Sequence, residues 1–372
     1  MNKKIVHVGL DVDDTQYHGA ALNKATGELF NFKCRPTLKG LLGQLAKIQK
    51  QFPRYVVRVV YEASYIGFTL QRDLDEKGVH CDVVAPSSIP RQSGKAIKTD
   101  RIDATQLAQF YANDLLTIVQ VPELEMERDR DLLRSRQRLM HHREEVRRHL
   151  HAALRRNGIH YKAETGHKSH WTKQHHDWLQ RTIESQAGSL KVNLRLLYQQ
   201  LQDIDRSLAE YHQQIEALAQ TERYQHPVKA LTCYKGIKTV WALTMITEIG
   251  DIQRCQHPRQ LVSWIGMDIR EYSSGGKHNR FGITKHGNRY LRTAFIEANQ
   301  RGYRSNVVSK EIRLRQAQSP PEYVAVATRC LRRLNKKGNR LLLAGKHPNK
   351  VKVACAREMV GFVWESLRMA AA

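Results

Sequence analysis

The stretch KTDRIDA, residues 98–104, places two carboxylates, Asp100 and Asp103, three residues apart at the predicted start of a helix. Side chains at that spacing share one helical face, so both carboxylates are expected to point the same way. The alternative is a structural role, in which Asp100 caps the helix N-terminus and Asp103 interacts favourably with the helix dipole. The position of the other carboxylates decides between the two roles.

Two further acids stand at the ends of apolar runs. Asp11 follows the run from residue 5, and Glu62 closes the run from residue 55, whereas Asp13 and Asp14 are expected in the exposed turn after the first run. Three or four carboxylates in one place would repel one another without a cation. Mg²⁺ prefers hard oxygen ligands, and two such ions ~3.5–4 Å apart can stabilise both oxygens of a phosphodiester displacement. We therefore predict that Asp11, Glu62, Asp100 and Asp103 bind Mg²⁺, with two ions per site.

The first ~118 residues alternate strand and helix patterns. Strands are predicted at residues 5–12, 19–22, 28–33, 55–61 and 81–84, and helices at residues 39–51 and 65–77. Three strands followed by helix, strand, helix, strand and helix is the order of an RNase H-like (RuvC-like) fold. That fold places acids at the ends of its first and fourth strands and on its last helix, which is where the four carboxylates stand.

The rest of the chain divides into two further predicted domains, so that the boundaries are 1–122, 123–226 and 227–372. The middle domain is helical, with one long helix at residues 123–156. A second helix carries a heptad seam typical of a coiled coil. The seam consists of Leu190, Leu194, Leu197, Leu201, Ile204, Leu208, Tyr211, Ile215 and Leu218. It is expected either to fold back on the 123–156 helix or, as we favour, to pair with another protomer.

The last third of the chain carries most of the positive charge. The net charge is +25, and residues 227–372 contribute +18 of it, with 27 basic against 9 acidic side chains. Such a field attracts polyanions and makes their binding salt-dependent; a basic solubilising tail is the alternative. The absence of an apolar run of ~20 residues argues against a membrane protein, so we expect a cytoplasmic address.

Cysteine and histidine give weaker signals. None of the six cysteines forms a CxxC pair or has zinc spacing with histidine, so we expect reduced, mostly buried thiols. His167, His170, His175 and His176 lack partner ligands nearby in the sequence. They are expected to face solvent or phosphate rather than a metal.

The third domain is predicted to be mainly helical. Residues 233–240 resemble a helix-hairpin-helix turn, whose backbone N–H groups can seat a phosphate. In the block from Tyr272 to Arg292, serines stand beside glycines among cations, which is typical of a mobile phosphate-contacting loop. A serine in this block could serve as a nucleophile if a base or metal activated it.

These motifs together resemble the DEDD-type insertion-sequence transposases, also called bridge recombinases. The resemblance covers nearly the whole length, in the family's order of RuvC-like domain, coiled coil and C-terminal transposase domain. It rests on residues 9–12, 61–63, 98–104, 272–292 and 346–351. The last motif, KHPNKV, suggests the subgroup with long C-terminal domains.

The resemblance implies a mechanism that the residues alone do not. In such enzymes the four acids hold Mg²⁺, and a serine of the C-terminal domain attacks the DNA backbone to form a covalent 5′-phosphoserine. Carried onto this chain, the nucleophile is Ser274, with Ser273 as its rival. The serine and the acids meet in a composite site, commonly from different protomers.

The resemblance also implies the partners. They are double-stranded donor and target DNA, a structured non-coding guide RNA that pairs with both, and further copies of the chain, as a dimer and as a tetramer on DNA. A bacterial, nucleoid-associated address follows from the same likeness. The predicted contacts to the nucleic-acid backbone are Lys277, Arg280, Lys285, Arg289 and Arg292.

Two other functions remain open at the level of sequence. One is a RuvC-like, structure-selective endonuclease that hydrolyses DNA with water, in which the serines only contact phosphate. The other is a non-catalytic nucleic-acid-binding protein. The intact set of four acids weighs against a non-catalytic protein. The intact serine–glycine block weighs against an endonuclease that uses water.

Overall fold

The computed structural model describes residues 4–86, 89–90, 100–274, 277–300 and 302–371. Of residues 100–102, 274, 277 and 278 it describes the backbone alone. The chain forms two compact units, Met1–Pro122 and Glu123–Ala372. The further division that the sequence suggests at residues 226 and 227 stays a prediction.

In its described residues, the first unit has five strands and three helices. The strands are β1 (Lys4–Asp11), β2 (Tyr17–Asn23), β3 (Leu29–Cys34), β4 (Tyr55–Glu62) and β5 (Cys81–Val84). The helices are α1 (Leu38–Gln51), α2 (Thr69–Glu76) and α3 (Asp100–Ala112). This order agrees with the sequence-based expectation, because each buried strand reads as a short apolar run bounded by turn residues.

The five strands form one mixed sheet in the order β3-β2-β1-β4-β5. β2 runs antiparallel to both β1 and β3, whereas β1, β4 and β5 are mutually parallel. A five-stranded mixed sheet of this kind, flanked by helices, is consistent with an RNase H-like fold. The carboxyl ends of the three parallel strands therefore lie along one edge of the sheet.

The two faces of the sheet are covered by different helices. On one face, Val8 and Leu10 pack with Leu41 and Leu45 of α1 and with Leu74 of α2. On the other face, α3 covers the sheet. There Val60 and Val84 pack with Leu107 and Tyr111, and Ala20 packs with Ala104 and Ala108. Burial on both faces explains why these strands read as continuous apolar runs.

The second unit is mainly helical. Its helices are α4 (Leu124–Arg156), α5 (Tyr161–Thr165), α6 (Lys173–Ser185), α7 (Gly188–Ala219), α8 (Glu222–Thr232), α9 (Thr239–Ile249), α10 (Pro258–Ile265), α11 (Arg289–Ala298), α12 (Lys310–Ala317), α13 (Pro321–Leu343) and α14 (Pro348–Ala370). A two-stranded antiparallel hairpin, β6 (Ile269–Ser274) and β7 (Lys277–Ile283), lies between α10 and α11. Its core includes Leu243, Phe295, Cys330 and Val360.

The heptad seam of α7 is covered from within the chain. Leu194, Tyr198 and Leu201 are buried with Leu150 of α4, and Arg143 of α4 pairs with Asp205 of α7 at 3.3 Å. The seam therefore packs within an antiparallel hairpin of α4 and α7, as the alternative interpretation of the sequence expects, and a role of this region in oligomerisation stays a prediction. The heptad spacing was correct, but spacing alone does not say which helix fills the seam. Dimerisation stays a prediction from the family likeness.

The remaining features agree with the composition. All six cysteines are buried and free. No helix in the described ranges combines the length and apolar character that a bilayer span requires. The glycine turn between α8 and α9 is present, and Gly236 lies so close to the end of α11 that a Cβ would come 1.8 Å from the Ala298 carbonyl oxygen. The close packing against α11 therefore requires glycine at position 236, whether or not this turn also binds phosphate.

Candidate active site

Asp11 and Glu62 end neighbouring parallel strands at the same level. Leu10 of β1 lies opposite Tyr61 of β4, so the next residue of each strand brings Asp11 beside Glu62. Neighbouring strands lie about 4.8 Å apart, which sets the scale of the separation between the two backbones. Glu62 in turn lies opposite Val84, the last residue of β5. The two acids thus share one edge of the sheet.

Both carboxylates are also directed to the same face. Side chains alternate along a strand, so Asp11 points to the side of Gly9, and Glu62 points to the side of Val60. Gly9 and Val60 both lie under α3. Asp11 is partly buried and Glu62 is exposed, so solvent and ligands can reach this corner of the sheet.

The start of α3 approaches the same corner. Tyr111, near the end of α3, stacks edge-on against His7 with 5.3 Å between ring centroids, while Ala104 lies over Gly9. α3 therefore runs antiparallel to β1, and its first turn lies toward Asp11. Asp103, which directly precedes Ala104, is carried into that region and is partly buried.

Gly9 permits this close approach of helix and strand. A Cβ added at Gly9 would lie 2.3 Å from the Ala104 carbonyl oxygen and 2.5 Å from the Ala108 backbone nitrogen. Both obstacles are backbone atoms, so α3 itself would have to shift. The small side chains of Ala104 and Ala108, together with the missing side chain of Gly9, thereby set the position of Asp103.

We expect Gly9→Ala to lower the free energy of unfolding by about 1–3 kcal/mol, because overpacking forces a backbone displacement. Urea denaturation of the full-length protein measures the change. Gly43→Ala on α1 is the matched control, since a Cβ there meets nothing within 4 Å. That change should be neutral or stabilising by about 0.5–1 kcal/mol, as alanine favours helix. Equal stability of the two variants would contradict the packing described here.

Two other predicted residues of this region have different outcomes. Asp100 is the first residue of α3, but its side chain lies outside the described part, as do Lys98 and Thr99 altogether. Asp13 is exposed in the turn after β1, as predicted, and accepts hydrogen bonds from the Thr15 backbone nitrogen (2.9 Å) and hydroxyl (2.6 Å). These bonds hold the pKa of Asp13 below its ordinary value.

The arrangement at the sheet edge fits a divalent cation. Asp11, Glu62 and the helix turn that carries Asp103 supply hard carboxylate oxygens, which Mg²⁺ prefers over nitrogen or sulfur ligands. Favourable interaction of Asp103 with the N-terminal dipole of α3 is compatible with this role.

The predicted phosphate-contacting block proves to begin with a β-hairpin rather than an irregular loop. In β6 and β7, Ser273 lies opposite His278 and Ser274 lies opposite Lys277. The Ser273 hydroxyl donates to Glu271 Oε1 at 3.0 Å, and Arg280 Nε donates to Glu271 Oε2, also at 3.0 Å. Glu271 thus bridges the two strands. The side chains of Ser274 and Lys277 lie outside the described part.

The other predicted nucleic-acid contacts follow this hairpin. Lys285 is exposed, and exposed Arg289 lies over the ring of Tyr290, 4.9 Å from its centroid. Arg292 is partly buried, and its Nη1 donates to the carbonyl oxygens of Ile265 (2.8 Å) and Gly287 (3.1 Å). Burial lowers the pKa of Arg292 below its ordinary value. Arg292 therefore also holds the segment before α11 in place.

A buried ion pair that sequence reasoning missed anchors this segment. Glu248 of α9 is 3% exposed. Its two carboxylate oxygens accept from Arg134 of α4, at 2.7 Å from Nε and 2.9 Å from Nη2. Asn288 donates its side-chain amide to Glu248 at 2.6 Å and accepts from the Tyr290 and Leu291 backbone nitrogens at the start of α11. Three helices thus meet at one carboxylate.

Truncation of this carboxylate should be costly. We expect Glu248→Ala to lower the free energy of unfolding by about 3–5 kcal/mol, because Arg134 is then left without its partner in a mostly buried place. Glu365→Ala is the control, since its pair with Arg329 is exposed and should contribute about 0–1 kcal/mol. Chemical denaturation compares both variants with the parent protein. A loss at Glu248 as small as that at Glu365 would contradict the network.

Comparisons with known proteins bear on both units. A family model of DEDD type from the IS110 group, described as "Transposase", matches residues 8–158. A second family model, described as "Transposase IS116/IS110/IS902 family", matches residues 228–312. The first match spans Asp11, Glu62 and Asp103, and the second spans the hairpin and α11.

Individual relatives match over most of the chain. The sequence is 31% identical to the "Putative transposase y4qE" of Sinorhizobium fredii, over 83% of this chain and 75% of that protein. It is 28% identical to the "Transposase for insertion sequence element IS1533" of Leptospira borgpetersenii, over 90% of this chain and 96% of that protein. It is also 27% identical to the "Transposase for insertion sequence element IS1111A" of Coxiella burnetii, over 59% of this chain and 58% of that protein.

Proposed function

Because the chain belongs to the IS116/IS110/IS902 family of DEDD transposases, we propose that it cuts and rejoins DNA to move an insertion sequence. The observation that carries this proposal is the convergence of Asp11, Glu62 and the first turn of α3 at one edge of the sheet. Carboxylates so arranged suit phosphodiester chemistry assisted by divalent metal. The basic C-terminal third supplies attraction for nucleic acid.

In the proposed site, Asp11, Glu62, Asp103 and Asp100 would hold Mg²⁺. When bound, the metal would stabilise the negative charge that develops on the attacking and leaving oxygens. The chain's own contribution is to hold these carboxylates in register, through the pairing of β1 with β4 and the contact of α3 with Gly9. Gly9 and the strand register therefore act as positioning elements.

The proposed nucleophile is Ser274, at the end of β6. Its Oγ attacks a backbone phosphorus, the bond to the 3′ oxygen breaks, and that oxygen leaves as a 3′-hydroxyl after gaining a proton. The serine proton passes to a base or to solvent, and DNA remains attached through a 5′-phosphoserine. Attack by a second 3′-hydroxyl would reverse the step and join new ends without an external energy source.

The partners proposed are donor and target DNA, a structured guide RNA and further copies of the chain. Exposed Arg280, Lys285 and Arg289 support contacts to a phosphate backbone. Such contacts position nucleic acid but carry no sequence information. Sequence choice would then depend on base pairing with the RNA, as in other RNA-guided systems.

A direct assay tests the proposal. The full-length protein is incubated with the RNA transcribed from its element's end, labelled DNA carrying the element junction and target, and Mg²⁺. We expect cleaved and rejoined DNA, together with labelled DNA that stays on the protein through denaturing electrophoresis. Cleavage without any adduct would instead support hydrolysis by water. Binding without cleavage, under every metal condition, would overturn the enzymatic function.

A further inference from the structure

Three histidines from separate segments of the second unit converge. His151 lies on α4, His170 precedes α6, and His175 lies in the first turn of α6. One ring nitrogen from each lies within 4.8 Å of the others. The ring centroids of His151 and His170 are 4.6 Å apart, and those of His170 and His175 are 5.0 Å apart. The fold thus assembles a cluster of imidazoles that the sequence keeps up to 24 positions apart.

His175 is the least expected member of the cluster. The sequence predicts a solvent-facing or phosphate-contacting side chain, but His175 is 0% exposed. Within the described part of the chain, neither its Nδ1 nor its Nε2 has a hydrogen-bond partner. A buried imidazole with two unsatisfied nitrogens is costly, and native proteins rarely leave such groups without a partner, water or an ion. Both ring nitrogens of His175 are therefore candidates to bind a ligand.

The ligand atoms of the cluster favour a cation as its partner. Each of the three residues offers one imidazole nitrogen, and these nitrogens lie within 4.8 Å of one another. A neutral imidazole offers a lone pair to a metal, and histidine is the commonest metal ligand in proteins.

The surroundings leave room for an ion and one more ligand. A cavity of ≈ 160 Å³ borders all three histidines and is also lined by Tyr161, Lys162 and Trp178. Trp171, next to His170, has a φ of 62°, a left-handed conformation that a bulky residue rarely adopts. Its ring packs 4.8 Å from that of His151 and under Arg147. This packing holds the His170 segment against α4.

We propose that His151, His170 and His175 bind one Zn²⁺ ion, with water or hydroxide from the cavity as the fourth ligand. Zinc accepts three imidazoles and an open position, and borderline-soft nitrogen ligands favour it over Mg²⁺. With Zn–N bonds of about 2.0–2.1 Å, tetrahedral ligands lie about 3.4 Å apart, so small inward movements of the rings suffice. Arg155, which also lines the cavity, favours an anionic fourth ligand.

The ion would join the segment before α6 to α4. Its ligands are not those of the carboxylate edge, because all three belong to the second unit. It is also chemically distinct, since it offers nitrogen where the carboxylate edge offers oxygen. Its expected role is to fix the loop between α5 and α6, whose strained Trp171 conformation needs support from its surroundings.

Zinc binding tests the proposal with the metal alone as probe. The full-length protein is stripped with a chelator, and zinc affinity is measured by competition with a chromophoric indicator. We expect one ion per chain, and a loss of affinity of at least about 100-fold in His170→Ala, because a direct ligand matters more than its supporting groups. His149→Ala is the matched control, since it is exposed on the same helix as His151 and should bind zinc as the parent does.

Two further readouts separate a ligand from a surface histidine. Co²⁺ in place of zinc should give the visible absorption of a tetrahedral nitrogen site, and zinc should raise the melting temperature of the parent but not of His170→Ala. Circular dichroism confirms that this loop variant remains folded. Equal zinc affinity in His170→Ala and His149→Ala, or no zinc binding at all, would overturn the proposal. Inorganic phosphate is tested in the same way. If the parent protein bound phosphate instead of zinc, and His170→Ala lost that binding, an anion site would replace the proposed zinc site.

Discussion

Replacement of Asp11 by asparagine is expected to lower the rate of DNA cleavage by at least about 1,000-fold, while RNA and DNA binding persist. Asparagine keeps the size of the side chain but removes one negative charge from the edge where β1 and β4 end. A metal contributes several kcal/mol to such a reaction, and each 1.36 kcal/mol corresponds to a tenfold change in rate. Single-turnover cleavage of labelled DNA measures the first effect, and a filter-binding titration measures the second.

The matched control is Asp13→Asn, two residues further along. Asp13 is exposed, and its carboxylate is occupied by hydrogen bonds from Thr15 in a local turn. This variant loses the same charge in the same neighbourhood and should cleave at nearly the parental rate. If the two variants were equally impaired, the effect of Asp11 would reflect local charge or folding. Parental cleavage by Asp11→Asn would remove the metal assignment altogether.

The position of Asp11 at the edge of the sheet was predictable from the pattern of the strands in the first unit. β1 and β4 are buried on both faces, so each appears in the sequence as an apolar run, and the first acidic residue after that run ends the strand. Parallel neighbours with short connections then bring those ends to one edge of the sheet. The direction of α3 was also predictable, since the order of elements allows few topologies. What the sequence did not reveal is how closely α3 lies on Gly9, which depends on the geometry of backbone atoms.

The second unit was harder to predict because its decisive contacts join distant residues. The pair of Arg134 with Glu248 spans 114 positions, and nothing in the local pattern of either helix marks it. The heptads of α7 predicted a helical partner but not that the partner is α4 of the same chain. The hairpin was read as a loop because serine, glycine and cations have low strand propensity, whereas the pairing of β6 with β7 outweighs that preference.

Replacement of Ser274 by alanine is expected to abolish the denaturant-resistant protein–DNA adduct and to lower strand exchange by about 10⁴-fold or more, as loss of a nucleophile does in other covalent enzymes. The fold should persist, because Ser274 is the last residue of β6 and residues 269–273 and 279–282 of the hairpin are exposed. The adduct is measured with labelled DNA on a denaturing gel. Strand exchange is measured by amplification of the new junctions in the same reactions.

Ser273→Ala is the decisive comparison, because the two serines are adjacent and differ in their partners. The Ser273 hydroxyl donates to Glu271, which also accepts from Arg280 across the hairpin. Loss of Ser273 should therefore loosen the hairpin and reduce the yield of adduct by about 10-fold or less, the scale of one hydrogen bond with a net contribution of about 0.5–1.5 kcal/mol. An adduct that survives Ser274→Ala and disappears in Ser273→Ala would move the nucleophile by one residue, with Glu271 placed to accept its proton. An adduct that survives in a variant carrying both changes would exclude a serine of this hairpin, since the sequence of residues 269–283 contains no other serine.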